Sequence, residues 1–208
     1  VAIGSGLTKD YHFEFGERYN DFLNILNGSQ GVILIGAHVG NWEIGAPFFD
    51  EYGKKMNIVM FDAEYQKIKE LLARHMKSAD YKVIPVNKDN LSHVFEINDA
   101  LHKHEYVCFQ GDRVVSGTQN LRTDFMGKEA GFPAGPYLLA SRLKVPVVFY
   151  FAMREKRMRY SFNFVLADPP IREDKPELAL VKQYATALES VVTKYPEQWF
   201  NYYDFWKQ

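Results

Sequence analysis

His38 and Glu43 stand five residues apart around Gly40. On one continuous helix they would point to different faces, because 3.6 residues per turn brings i and i+4 together. A turn at Gly40 removes that restriction. A carboxylate bonded to one ring nitrogen fixes the imidazole tautomer and leaves the other nitrogen as a base. Such a base suits an alcohol or amine attacking an acyl carbon. The alternative is a strand-end histidine satisfied by backbone, with a glutamate in a helix first turn. A second candidate group is Gly111-Asp112-Arg113. Arg113 offers a planar fork for phosphate or carboxylate, or a positive charge beside a developing oxyanion, and Asp112 can orient it. Its alternative is an ordinary Asp–Arg surface pair.

The flanking pattern says how such residues are positioned. Val32 to Ile35 is an apolar run short enough for a strand covered on both faces. Asn41 is a helix N-cap candidate, and a helix is expected from there to about Tyr52. Further strands are expected at Asn57–Phe61, Tyr81–Val86 and Tyr106–Gln110, with helices at Tyr65–His75 and Leu91–His102 between them. Strand–helix alternation predicts a largely parallel α/β sheet flanked by helices. His38 and Arg113 then both follow strand C-termini, the sheet edge where open α/β folds keep their sites. Val114 to Asn120 reads as a mobile loop, Arg122 brings a second guanidinium, and Thr123 to Pro136 reads either as a packed loop before a helix at Tyr137–Leu143 or as a helix start whose small residues let backbone amides approach a ligand. Val145–Phe151 and Arg159–Leu166 predict an antiparallel hairpin at one side of the sheet. Arg154, Lys156, Arg157 and Arg159 form a basic cluster there, read as a solvated tip or as a contact for anionic lipid or an acidic carrier. The longest helix is expected over Glu177–Lys194, followed by an aromatic tail.

Composition narrows the function. Hydrophobic residues make up 47% of 208 and the net charge is −1, so the chain builds a core and lacks the basic bias of a nucleic-acid binder. One cysteine, Cys108, permits no intrachain disulfide, and His102, His104 and Glu105 lack a further ligand at metal spacing. No metal or cofactor is expected. No run approaches the roughly 18 apolar residues of a membrane span. One domain over residues 1–208 is expected.

His38-Val39-Gly40-Asn41-Trp42-Glu43 resembles the His-x4-Asp/Glu block of the glycerolipid acyltransferase superfamily, and its Gly-Asn-Trp-Glu form resembles the bacterial lipid A biosynthesis branch. Gly111-Asp112-Arg113, the stretch from Phe125-Met126-Gly127 to Gly135-Pro136-Tyr137-Leu138-Leu139-Ala140, and Tyr195-Pro196-Glu197-Gln198-Trp199 agree in the same order. The resemblance implies transfer of an acyl group from acyl carrier protein or coenzyme A to a hydroxyl or amine of a lipid acceptor. It implies His38, Glu43 and Arg113 as catalytic residues. Gly40, Asn41, Trp42, Asp112, Arg122, Phe125, Gly127, Gly135 and Leu138 become substrate-contacting candidates, with Trp42, Phe125 and Leu138 beside the acyl chain. It also implies peripheral association with the cytoplasmic face of the inner membrane, and members usually carry an N-terminal membrane segment. The superfamily's phosphate-handling Phe-Pro-Glu-Gly block has Ala134 in place of its glutamate here, so that role is not carried over. Two other readings stay open at this point: a thioesterase or esterase using the same dyad, and a non-catalytic acyl-lipid binding protein. No Gly-x-Ser-x-Gly elbow supports a serine triad.

Overall fold

Val32–Gly36 forms β2, five consecutive buried residues at the centre of a seven-stranded sheet. A strand covered on both faces has no polar side, which is why this run shows no alternation. The computed structural model describes residues 12–15, 18–41, 52–62, 64–66, 81–87, 90–155, 159–168 and 174–207. The helix expected after Asn41, most of that expected over Tyr65–His75, and Lys156 and Arg157 of the basic cluster lie outside the described residues.

The other strands of this sheet are β1 (His12–Phe15), β3 (Met56–Phe61), β4 (Tyr81–Val86), β5 (Tyr106–Gln110), β8 (Val147–Arg154) and β9 (Arg159–Leu166). Their order is β1-β9-β8-β2-β5-β3-β4. The block from β8 to β4 is parallel, β9 returns antiparallel to β8, and β1 lies parallel to β9. This is the largely parallel α/β sheet that the alternation predicted, with its antiparallel hairpin on one side.

Side-chain parity divides the interior into two layers. On the first face Ile33, Ile35, Val107, Phe109 and Phe149 pack with three helices, α2 (Ser92–His102), α3 (Ala134–Leu143) and α4 (Pro176–Lys194). On the second, Leu34, Tyr106, Cys108 and Tyr150 pack with Phe22 and Leu26 of α1 (Tyr19–Asn27). The sheet also has a split. β2 pairs with β5 as far as Gln110, and β3 with β4 as far as Val86, but the β3–β5 ladder stops at Ile58 and Cys108.

One expectation is corrected. The stretch read as a packed loop before the helix is a separate two-stranded antiparallel sheet, β6 (Asn120–Phe125) with β7 (Lys128–Pro133). Met126 and Gly127 turn it with φ 51° and 75°. Two successive positive-φ residues match the right-handed strand twist, a turn normally announced by Asn-Gly or Asp-Gly. Methionine in the first position hides it. Helix α3 starts three residues early, at Ala134, because Pro133 caps it with extended backbone.

Candidate functional site

His38 lies two residues beyond the end of β2, and Asp112 two beyond the end of β5. The register pairs Gly36 with Gln110, so parallel neighbours carry both residues to one rim. There His38 Nδ1 donates to Asp112 Oδ1 at 2.8 Å, and the His38 main-chain N–H donates to Oδ2 at 2.9 Å. A carboxylate accepts at Nδ1, so that nitrogen carries the proton and Nε2 is left as an acceptor. Asp112 is sealed, with its side chain 3% exposed, whereas that of His38 is 20% exposed. The carboxylate is fixed and the ring reaches the surface.

Two buried tyrosines hold the turns behind this pair. Tyr184 donates its hydroxyl to the Gly36 carbonyl at 2.7 Å, and Tyr137 donates to the Gly111 carbonyl at 2.8 Å. The Gly111 N–H bonds the same Gly36 carbonyl at 2.9 Å. Burial, reinforced by the charge of Asp112, pushes both phenols well above their usual range, so both remain O–H donors. Their rings meet edge to face at 5.5 Å. Gly111 allows this approach: a Cβ there would come within 2.7 Å of the Tyr137 hydroxyl.

A strap from Tyr195 to Tyr203 closes over the His38 turn. Gly40 N–H donates to the Gln198 carbonyl at 2.8 Å, Phe200 N–H donates to the His38 carbonyl at 3.0 Å, and Val39 bridges Trp199. The Gln198 amide reaches across to β8, accepting from Arg154 N–H at 2.9 Å and donating to its carbonyl at 2.7 Å. Tyr203 adds a long bond to the Asp112 carbonyl at 3.4 Å and lies under the Arg113 guanidinium at 5.4 Å. Arg113 is half-buried, and its Nε has no hydrogen-bond partner among the described residues.

Beside this rim opens a cavity of about 600 Å³. His38, Gln110 and Arg113 stand on its wall, and Val59, Phe61, Val86, Phe109 and Leu138 give it an apolar surface. That is the size and character of a pocket for a small apolar ligand, with a few polar groups to orient it.

The sequence-derived candidates sort by position. His38, Arg113, Gly135 and Leu138 line the cavity. Asp112 stands behind His38. Gly40 and Asn41 are main-chain anchors: Gly40 has φ 62°, and Asn41 N–H bonds the Ala152 carbonyl at 2.8 Å. Arg122 pairs with Glu129 across the β6–β7 hairpin at 2.7 Å, on the exposed face. Phe125 is fully buried among Phe132, Trp199 and Phe205 with ring centres 5.3–5.8 Å apart, and Gly127 forms the hairpin turn. None of Arg122, Phe125 and Gly127 lines the cavity. Trp42 and Glu43 lie outside the described residues. Sequence reasoning gave no task to Tyr137, which it quoted only within a motif, nor to Tyr184 or Gln110. It quoted Gln198 within a motif without giving it a task.

Among the described residues no cluster of three or more His, Cys, Asp or Glu could hold a metal ion, and no helix is long and apolar enough to cross a membrane. A search of curated proteins returned no significant match. The family model described as bacterial lipid A biosynthesis acyltransferase matches residues 14–208. That span takes in β2, β5, the hairpin, α3 and the strap. The chain therefore belongs to the bacterial lipid A biosynthesis acyltransferase family.

Proposed function

We propose that the protein moves a fatty acyl group from a thioester of acyl carrier protein or coenzyme A to a hydroxyl or amine of a lipid acceptor, with His38 as the base. The acyltransferase activity in lipid A biosynthesis is that of the family. The detail rests on one observation: His38 is gripped through ring and backbone by the buried carboxylate of Asp112, at the mouth of an apolar cavity. His38 Nε2 takes the acceptor proton as the oxygen or nitrogen attacks the thioester carbonyl carbon. Asp112 balances the imidazolium that forms. The tetrahedral oxyanion faces the Arg113 guanidinium, and one such donor is commonly worth ~3 kcal/mol. Collapse breaks the carbon–sulfur bond, and the thiolate leaves with the proton from Nε2. The products are an ester or amide and a free thiol, and no metal or cofactor enters the sequence. Glu43, the carboxylate of the sequence motif, is the alternative partner for His38.

Acyl thioesters are cytoplasmic metabolites and the acceptor is a lipid, so the reading puts the work at the cytoplasmic face of the inner membrane, with peripheral association. The test is acyl transfer from acyl-coenzyme A and from acyl carrier protein to a lipid A precursor, by wild type and His38→Ala. Loss of about 10³-fold or more is expected in the variant. Equal rates would leave only a lipid-binding role. Because the ring is partly exposed, water can also reach it; acid release without acceptor, at a rate matching transfer, would favour a thioesterase.

A further inference from the structure

The cavity is lined from both faces of the sheet, and the split between β3 and β5 explains how. Val59, Val86, Ile97, Phe109 and Leu138 belong to the first-face layer. Met56, Ile58, Met60, Cys108 and Tyr150 belong to the second. A continuous sheet would separate these two sets by its own thickness. Here the β3–β5 ladder ends at Ile58 and Cys108, while β3 runs on to Phe61 and β5 to Gln110. The strands part at their C-terminal ends, and side chains of both faces line one cavity together with His38 and Arg113.

We propose that this is a two-lobed site holding two hydrocarbon chains at once, the donor's acyl chain on the second face and a chain of the lipid acceptor on the first. This rests on the acyl-transfer reading above. The lobes differ in shape and chemistry. On the second face Met56, Ile58 and Met60 occupy alternate positions of one strand, a straight apolar track of about 13 Å at roughly 3.3 Å per residue. A single extended chain fits such a track, with its carbonyl at the rim. The first-face lobe has apolar walls and a polar entrance. Asn90 and His93 of the α2 start and Gln119 ahead of β6 stand on it, and His93 Nδ1 is buried without a partner among the described residues. The Asn90 side-chain oxygen already accepts from Ser92, so the His93 ring is the group left to meet a ligand, and an apolar pocket with polar side chains at its mouth suits an amphiphile whose headgroup carries hydroxyls. His38 sits where the two lobes meet, so both chains end beside the base.

The test counts chains and then separates them. Purified protein is titrated with a fluorescent fatty acid. Two equivalents are expected per chain, falling to one in Ile58→Trp and to one in Leu138→Trp, each checked for native melting. Met60→Trp and Leu139→Trp replace any variant that fails to fold. Saturated acyl-coenzyme A donors of graded length are then assayed with a lipid A precursor. Ile58→Trp is expected to shift preference to shorter donors. Leu138→Trp is expected to keep the donor preference and raise the acceptor KM several-fold. One equivalent in the wild type, or a donor shift in both variants, overturns the two-lobed site while leaving acyl transfer standing. Two bound equivalents with no transfer by the wild type would reject the acyl-transfer reading instead.

Discussion

A histidine whose ring and main-chain amide both bind one carboxylate has a single orientation and a single tautomer. Asp112→Asn keeps the shape but presents an amide that can offer Nδ1 a donor, favouring the wrong tautomer. A kcat lower by about 10²–10⁴-fold with KM within a few-fold is expected, read by steady-state kinetics. Glu43→Gln measured alongside decides which carboxylate serves the ring; a larger loss there than in Asp112→Asn would reverse the assignment made here. Gly40 carries a different constraint. A Cβ on it would lie 2.1 Å from the Ala152 carbonyl oxygen, at a φ of 62°. Gly40→Ala should cost about 1–3 kcal/mol in urea unfolding and disturb the adjoining His38 turn. Unchanged stability would show that the turn tolerates a side chain. His38 was legible because it follows an apolar run and precedes a glycine turn. Its bond to Asp112 was not, because a motif displays only local neighbours and this pair meets across 74 residues.

Elements explain which candidate residues reach the cavity. The largely parallel sheet and its antiparallel hairpin were readable, because apolar runs alternate with helical periods up to the fourth core strand; the order of the strands was not, since pairing joins residues far apart in the chain. The β6–β7 hairpin was not readable either, because its turn carries Met-Gly, and so Phe125 was placed beside the acyl chain and Gly127 among the substrate contacts on motif order alone. The hairpin turns Phe125 into the aromatic cluster under Trp199 and Phe205 and lifts Gly127 to its tip. Gly135, by contrast, opens toward the cavity, with nothing within 4 Å of an added Cβ. The aromatic tail read from composition as a core cap rather than a membrane-interface belt, and it does pack on the core; its second task, holding the His38 turn, left no mark in composition. Gln198→Leu removes two side-chain bonds to Arg154 while keeping bulk. Melting is expected to fall by a few degrees, and kcat by about ten- to a hundredfold through misplacement of the His38 turn. A melting loss with kcat unchanged would make the strap purely structural.

At the scale of the molecule, the split sheet makes the cavity part of the core, so the state of one reports on the other. Cys108 is 5% exposed on the cavity wall, and burial pushes its thiol upward, away from the reactive thiolate. A charged disulfide reagent should label it far more slowly than a free thiol, and more slowly still with fatty acid bound. Labelling at the rate of a free thiol would show that the second-face wall opens readily. The distances along the chain matter as well. Tyr184 reaches Gly36 across 148 residues, and Gln198 clasps Arg154 across 44. Bonds of such long span are generally late to form during folding. A half-folded chain would thus assemble strands and a greasy hollow before its imidazole is braced, so that the hollow comes first and the base is aimed only when the final clasp shuts.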